Sequence, residues 1–161
     1  MSASRGGGTP ERPASVLIRG MKLDPTNLEI PQSWTTPGLA VLLLHSTDVP
    51  ELAVAGLRAA HAGVCVTVDS FRLTRKAVLV LDAEGVRLAA KGVLGALSTG
   101  GRPNLVALVN EFVAKEGVIF VLEPAWRDRG FLDDALIPGA HLVSAGHLAK
   151  IAAANYAIAT Y

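Results

Sequence analysis

One polar segment combines most of the residue types that could bind a small molecule. It runs from Glu123 to Gly130 and includes Trp126, Arg127 and Arg129. The forked donors of the two arginines suit a carboxylate or a phosphate, although pairing with nearby aspartates would occupy them equally well. Trp126 could line a pocket, or it could pack in the core or at a subunit interface. The segment is therefore a candidate pocket, although pairing with Asp128, Asp133 or Asp134 is the favoured role of the two arginines.

Carboxylates near this segment could also transfer protons. Glu84 and Glu123 each follow an apolar run, and they would lie close together if those runs formed neighbouring strands. Two carboxylates in one cleft can act as general acid and general base, but solvated loop acids are far more common. No residue is therefore predicted to be catalytic. The predicted pocket residues are Ser46, Glu84, Glu123, Ala125, Trp126 and Arg129.

The sequence lacks the common phosphate, nucleophile and metal motifs. It contains no G-x-G-x-x-G or G-x-x-x-x-G-K-[ST] loop and no G-x-S-x-G elbow. The four histidines form no H-x-H or H-x-x-x-H pair, so a metal centre built by one chain is not expected. His147 is expected on the surface of the last helix. We predict neither a cofactor nor a metal.

The single cysteine, Cys65, lies in an apolar stretch with no base beside it in the sequence. An apolar environment makes a thiol unreactive, so a structural role is favoured and a reactive thiol is left as the alternative. One cysteine also excludes an intrachain disulfide.

The composition excludes several functional classes. The chain has 161 residues, is 50% hydrophobic and 18% charged, and carries a formal charge of +1. This balance is typical of a folded domain and gives no general attraction to nucleic acid or to anionic membranes. The longest aliphatic run, Leu39–Leu44, is far shorter than the roughly 20 residues of a membrane-spanning helix. No signal peptide is recognisable, and the cytoplasm is the expected compartment.

The proline content divides the chain into two parts. Residues 1–38 contain five of the nine prolines and the run Gly6–Gly8, which predicts an arm whose first part is disordered. Apolar residues between Leu17 and Trp34 suggest that the rest of the arm packs on the domain or on another subunit. The folded domain is predicted to cover residues 39–161.

Short aliphatic runs indicate a parallel sheet. Residues 39–44, 77–81 and 118–122 are continuous apolar runs, as expected for strands buried on both faces. His141–Val143 and the tail from Tyr156 predict two more strands, and helical patterns lie between the runs. We therefore predict an α/β fold: a single three-layer domain with a mainly parallel central sheet and helices on both faces. Polar loops at the carboxyl ends of its strands would form the site.

Residues 64–75 are ambiguous. Apolar spacings favour one long helix from Val49 to Phe71, whereas the alternation of Val64, Val66 and Val68 favours a strand. The helix is preferred because the next apolar run is the better strand.

Two ordered signatures resemble the DsrE/DsrF-like family, which includes sulfur-relay proteins. The first is Lys115–Gly130, a helix end followed by a strand and a loop that closes in Arg129-Gly130; the second is Ile137–Val143, with its Pro-Gly step. Leu81–Val86 also fits, and the resemblance spans about residues 39–155. It implies a mainly parallel α/β fold, one long helix between the first two strands, and homotrimers or homohexamers with sites near subunit contacts.

The sequence departs from this family where its chemistry lies. The resemblance places the loop cysteine of the family at Ala125 and a second frequent cysteine at Leu122, and neither residue can carry a persulfide. We therefore expect a DsrE-like oligomer that binds a small ligand, such as an anion, or a protein partner, including a partner subunit, through the vacated loop pocket. The alternatives are sulfur transfer through Cys65, another enzyme using Glu84, Glu123 or Arg129 at a subunit interface, and a purely structural subunit.

Overall fold

Three apolar runs form the centre of a five-stranded parallel sheet. The computed structural model describes residues 38–65, 67–68, 73–74, 77–154 and 156–161. The strands and α-helices are, in chain order, β1 Leu39–Leu43, α1 Pro50–Cys65, β2 Thr67–Val68, β3 Leu73–Thr74, β4 Ala77–Leu81, α2 Val93–Leu97, α3 Leu105–Ala114, β5 Val118–Leu122, α4 Glu123–Asp128, β6 Ala140–Val143, α5 Gly146–Ala153 and β7 Ala157–Thr160. Two 3-10 helices, Ala83–Ala89 and Asp133–Ala135, lie between them.

The sheet has the strand order β6-β5-β4-β1-β7. All four pairings are parallel, and Leu79 of β4 lies between Val41 of β1 and Ile119 of β5. Every residue of β4 is buried, as expected for a central strand covered on both faces. The predicted α/β class with a parallel sheet is confirmed, and the tail forms an edge strand as predicted.

Alternating side chains divide the core into two layers. Leu79 and Leu81 face a cluster that includes Leu57 of α1 and Phe112 of α3. The intervening Val80 faces the other cluster, which includes Ile151 of α5. Since α1 and α3 cover one face and α5 covers the other, the domain has the predicted three layers.

The long helix expected through Phe71 is wrong. Helix α1 ends at Cys65, and Thr67–Val68 pairs antiparallel with Leu73–Thr74. The alternating β-branched residues from Val64 indicated this outcome, and their strand preference outweighs the helical spacing. The same finding corrects the resemblance, which implied helix throughout this region.

The carboxyl edge of the sheet is held by a close backbone contact. After β4, the first 3-10 helix turns towards β1, where Gly85 N donates to Leu44 O and Asp82 N donates to Leu43 O, both at 3.1 Å. A β-carbon at Gly85 would lie 2.1 Å from Leu43 O, so only glycine fits. This contact sets the position of Glu84 relative to the loop that follows β1.

The predicted arm lies almost wholly outside the described residues, which begin at Gly38. Gly38 already belongs to the domain, because its carbonyl accepts a hydrogen bond from Ala157 N at the start of β7. Within the described part of the chain, no helix has both the length and the apolar character needed to cross a bilayer.

Candidate functional site

The site centres on an ion pair between two connections of the sheet. Glu84 lies in the 3-10 helix after β4, and Arg129 caps α4 after β5. Glu84 Oε1 accepts a hydrogen bond from Arg129 Nη2 at 2.6 Å, and Glu84 Oε2 accepts one from Arg87 Nε at the same distance. Two predicted pocket residues therefore meet directly.

Arg129 is held close to Ala125, the position at which the sequence resemblance places the loop cysteine of the family. Its Nη1 donates to the carbonyl of Ala125 at 3.3 Å, and its side chain is only 20% exposed. Its Nε atom is buried and has no hydrogen-bond partner among the described residues. The Nε–H group is thus a buried donor that neither Glu84 nor Ala125 uses.

Ser46 supplies a second unused polar atom. It lies two residues beyond Leu44, which holds Gly85, so it belongs to the same edge of the sheet as Glu84. The residue is fully buried, and its Oγ has no partner within the described parts of the chain. Buried hydroxyl groups are normally hydrogen-bonded, which makes this one a candidate ligand contact.

The loop that carries Ser46 is closed by Asp48. Its two carboxylate oxygens accept hydrogen bonds from His45 Nδ1 at 2.7 Å and from Ser46 N at 2.6 Å. These bonds, chiefly the one with His45, lower the pKa of Asp48 to about 2. The loop therefore keeps a carboxylate at every pH near neutrality, and this carboxylate is already occupied by the loop itself.

Trp126 supports the site from within the core. Its side chain is fully buried and packs on Phe131, with ring centroids 4.5 Å apart. Of the two roles considered for this residue, the structure shows packing. The buried indole anchors α4 to the core, and this helix carries Ala125 and ends at its C-cap, Arg129.

Glu123 is paired with Arg127, whereas Glu84 is paired with Arg129. Glu123 accepts a hydrogen bond from Arg127 Nη2 at 3.2 Å, and Arg127 Nη1 lies 2.7 Å from Asp133. The two acids expected to face each other are each paired with a different arginine. Pairing with a nearby aspartate was one of the two roles predicted for the arginines, and Arg127 pairs with Asp133.

The electrostatics of the pair favour binding over proton transfer. The guanidinium of Arg129, and then that of Arg87, hold the pKa of the Glu84 carboxyl below its ordinary value by hydrogen-bonding its charged form. A general acid or base needs a pKa near the working pH, and arginine does not lose its proton in proteins. The group can hold an anion more readily than it can move a proton.

A separate groove lies away from these residues. It has a volume of about 240 Å³ and is bounded by the turn after the first 3-10 helix, by α2, by α3 and by the segment at Pro138. The lining includes Lys91, Leu94, Val109 and Ile137. None of the predicted pocket residues contributes to it.

The sequence reasoning missed the surroundings of Cys65. The thiol is exposed at the end of α1, with His61 Nε2 at 3.7 Å and Lys115 Nζ at 3.3 Å from its sulfur. The apolar environment inferred for it is therefore wrong. The spacing of His61 and Cys65, four residues apart on one helix, was the available signal, whereas Lys115 comes from α3.

His147 is buried instead of exposed, which corrects the surface position expected for it. Its ring packs edge-on against Phe120, and its Nδ1 lies 3.2 Å from Ser144 Oγ. Burial lowers the pKa of the imidazole. His147 belongs to α5 and packs in the second core layer. None of its hydrogen bonds within the described residues reaches the candidate site.

Comparison with known proteins identifies the fold class. No family model matches the sequence, and no curated protein matches it. The YchN protein from E. coli has a similar structure, with a TM-score of 0.64 and 17% identity over 78% of this chain and all of the YchN chain. MTH1491 from Methanobacterium thermoautotrophicum, described as a protein of unknown function, gives a TM-score of 0.55 and 15% identity over 79% of this chain and all of its own.

These similarities establish an α/β domain of the YchN type. YchN has a DsrE/DsrF-like fold, so the resemblance read from the sequence is supported at the level of the fold. At this level of identity, the similarity shows the fold alone and assigns no activity.

Proposed function

We propose that the chain is a DsrE-like homo-oligomer, a trimer or a hexamer, that binds a small anionic ligand beside Ala125 without thiol chemistry at that position. Arg129 and Ser46 supply the binding groups, and together we call them the anion site. Glu84 serves as the internal counter-charge. The proposal rests chiefly on one observation: both binding residues have buried polar atoms without partners among the described residues.

Unsatisfied buried donors carry a free-energy cost that a ligand can remove. Leaving one buried hydrogen-bonding group unpaired costs about 1–3 kcal/mol, and more for a charged group. An anion that accepts bonds from Ser46 Oγ and Arg129 Nε would satisfy both groups at once. A charge-assisted bond to a guanidinium is roughly twice as strong as a neutral one, which favours an anion over a neutral ligand.

Glu84 makes such binding selective. The ligand must compete with, or bind beside, a carboxylate that already holds Arg129 at 2.6 Å. A weakly placed chloride ion gains little from this exchange, whereas a carboxylate, phosphate or sulfur oxyanion with two or more oxygens can bridge both donors. The site would therefore select polyatomic anions.

An exposed leucine supports a subunit contact near the site. Leu132 follows α4 and is 69% exposed, and it lies three residues from Arg129. The buried centre of a subunit interface is apolar, which makes Leu132 the position to test. The family resemblance also implies sites near subunit contacts. We expect Leu132→Glu to reduce the oligomer in sedimentation equilibrium, while Val106→Glu, at an exposed position on α3, leaves it unchanged.

Anion binding can be tested with paired arginine variants. Isothermal titration calorimetry would measure phosphate, thiosulfate, citrate and adenosine monophosphate against the wild type, Arg129→Met and Arg127→Met. The proposal predicts binding of at least one anion and its loss in Arg129→Met only, because Arg127 is occupied by Glu123 and Asp133. Equal affinities in the two variants, or no binding to the wild type, would contradict it.

Sulfur transfer is a second candidate function, supported by the basic groups around Cys65. It cannot use the position that resembles the family cysteine, because Ala125 has no thiol. Persulfide labelling of the wild type and Cys65→Ser tests this candidate. Equal labelling of both proteins would exclude it, since Cys65 is the only cysteine.

A further inference from the structure

Four side chains form a surface cluster on α1 and α3, the two helices that cover the same face of the sheet. His61 and Cys65 come from α1, whereas Glu111 and Lys115 belong to the C-terminal end of α3 and the residue that caps it. His61 Nε2 lies 3.0 Å from Glu111 Oε2 and 3.7 Å from Cys65 Sγ. We propose that His61, Cys65 and Glu111 bind a divalent transition-metal ion, with Zn²⁺ as the best match.

The distances between the ligand atoms fit a tetrahedral ion. Imidazole, carboxylate and thiolate ligands lie about 2.0–2.3 Å from Zn²⁺, so two tetrahedral ligands stand roughly 3.3–3.7 Å apart. The atoms of His61, Cys65 and Glu111 all lie within 4.8 Å of one another. This limit exceeds the tetrahedral spacing by only about 1 Å, which is within the reach of side-chain rotation.

The kinds of ligand also select the metal. One sulfur, one nitrogen and one oxygen ligand suit a borderline ion such as Zn²⁺ or Co²⁺, whereas Mg²⁺ and Ca²⁺ require oxygen ligands. Three protein ligands leave a fourth position for water, as in metal sites that bind or activate small molecules. The exposure of Cys65 and the half-exposed Glu111 give an ion access from solvent.

Lys115 orients two of the ligands. Its Nζ donates to Glu111 Oε1 at 3.0 Å, which leaves Oε2 directed at His61, and it also donates to Cys65 Sγ at 3.3 Å. Such outer hydrogen bonds commonly position metal ligands. The ion would displace the thiol proton to solvent, so the charges of the metal, the thiolate and the carboxylate cancel and Lys115 keeps its own.

The competing interpretation is an ion-pair network that only joins α1 to α3. Lys115, and then His61, lower the pKa of Glu111 by hydrogen bonding, as a purely structural network would. Exposed ion pairs of this type contribute little to stability, and they need no cysteine. The two interpretations therefore differ in whether the thiol becomes a ligand.

Cobalt spectroscopy reports on the thiol directly. The chelator-treated full chain would be titrated with Co²⁺, and a sulfur-to-cobalt charge-transfer band would be recorded together with the visible bands of tetrahedral cobalt. We expect one equivalent per chain. The band must arise from Cys65, because the chain has no other cysteine. Addition of Zn²⁺ should abolish it by displacement.

Variants decide whether the three ligands act together. Cys65→Ser should remove the band, and His61→Ala and Glu111→Gln should each weaken Co²⁺ binding at least tenfold. His45→Ala is the matched control, because His45 is also a histidine paired with a carboxylate and lies outside the cluster. The circular dichroism of each variant should match the wild type, which shows that the fold is retained.

Three results would overturn the proposal. They are the absence of the charge-transfer band, unchanged affinity in both His61→Ala and Glu111→Gln, and half an equivalent of cobalt per chain, which would indicate thiols bridging two copies. The test is independent of the anion site, because Arg129→Met should bind Co²⁺ as the wild type does.

Discussion

Replacing Gly85 with alanine should destabilise the domain strongly, because there is no room for a side chain. The new β-carbon would lie 2.1 Å from Leu43 O, whereas real contacts of this kind are essentially never shorter than 3.0 Å. The two backbones must therefore separate by at least the difference, 0.9 Å. This separation breaks the hydrogen bond from Gly85 N to Leu44 O, which measures 3.1 Å.

The expected magnitude follows from these two effects. Overpacking of a tight site costs about 1–3 kcal/mol, and each lost backbone hydrogen bond adds about 1 kcal/mol. The free energy of unfolding should fall by about 2–4 kcal/mol. With a urea dependence of about 2 kcal/mol per molar, the unfolding midpoint should fall by about 1–2 M.

A second glycine provides the matched control. A β-carbon at Gly95, in the middle of α2, would have no atom within 4 Å, so Gly95→Ala should stabilise the helix by about 0.5–1 kcal/mol. Urea unfolding followed by far-ultraviolet circular dichroism measures both variants. A Gly85→Ala protein within about 0.5 kcal/mol of the wild type would refute the steric argument, because that difference is within the range of an ordinary surface change.

Two further predictions concern buried polar groups. Burial lowers the pKa of His147 in the folded state, so the unfolded state binds more protons, and stability should fall as the pH drops below about 6.5, the ordinary histidine pKa. His147→Gln should therefore reduce the fall in melting temperature between neutral and acidic pH. An unchanged profile would assign the effect to other groups such as His141, whose pKa burial also lowers. The buried hydroxyl of Tyr156 has no partner among the described residues. Tyr156→Phe should therefore leave the free energy of unfolding unchanged or raise it by about 1 kcal/mol. A loss above about 1 kcal/mol in urea unfolding would show that the hydroxyl is hydrogen-bonded.

The three central strands of the parallel sheet were predictable because each is a continuous apolar run. Residues 77–81 and 118–122 become strands with the expected boundaries, since burial on both faces accommodates five successive apolar side chains. The end of α1 was harder, because residues 64–68 satisfy a helical spacing and a strand alternation at once. Backbone preference decided between them, and periodicity alone could not.

The site was predictable only in part. Glu84 and Arg129 were predicted because they follow the carboxyl ends of β4 and β5. These strands are neighbours in the sheet, and the two side chains form an ion pair. The burial of Trp126 could not be read from its position, because a tryptophan in a loop segment fits either packing or pocket lining. The cluster at Cys65 requires Lys115, 50 residues away, and only the packing of α1 on α3 brings them together.

The most direct test of the proposed function is a crystal structure of the protein with the anion that binds most tightly in calorimetry. The account predicts electron density for the anion beside Ala125, within hydrogen-bond distance of Arg129 Nε and Ser46 Oγ. Density only in the groove beside Lys91, or an anion held by Arg127 with the pair between Arg129 and Glu84 unchanged, would contradict the account.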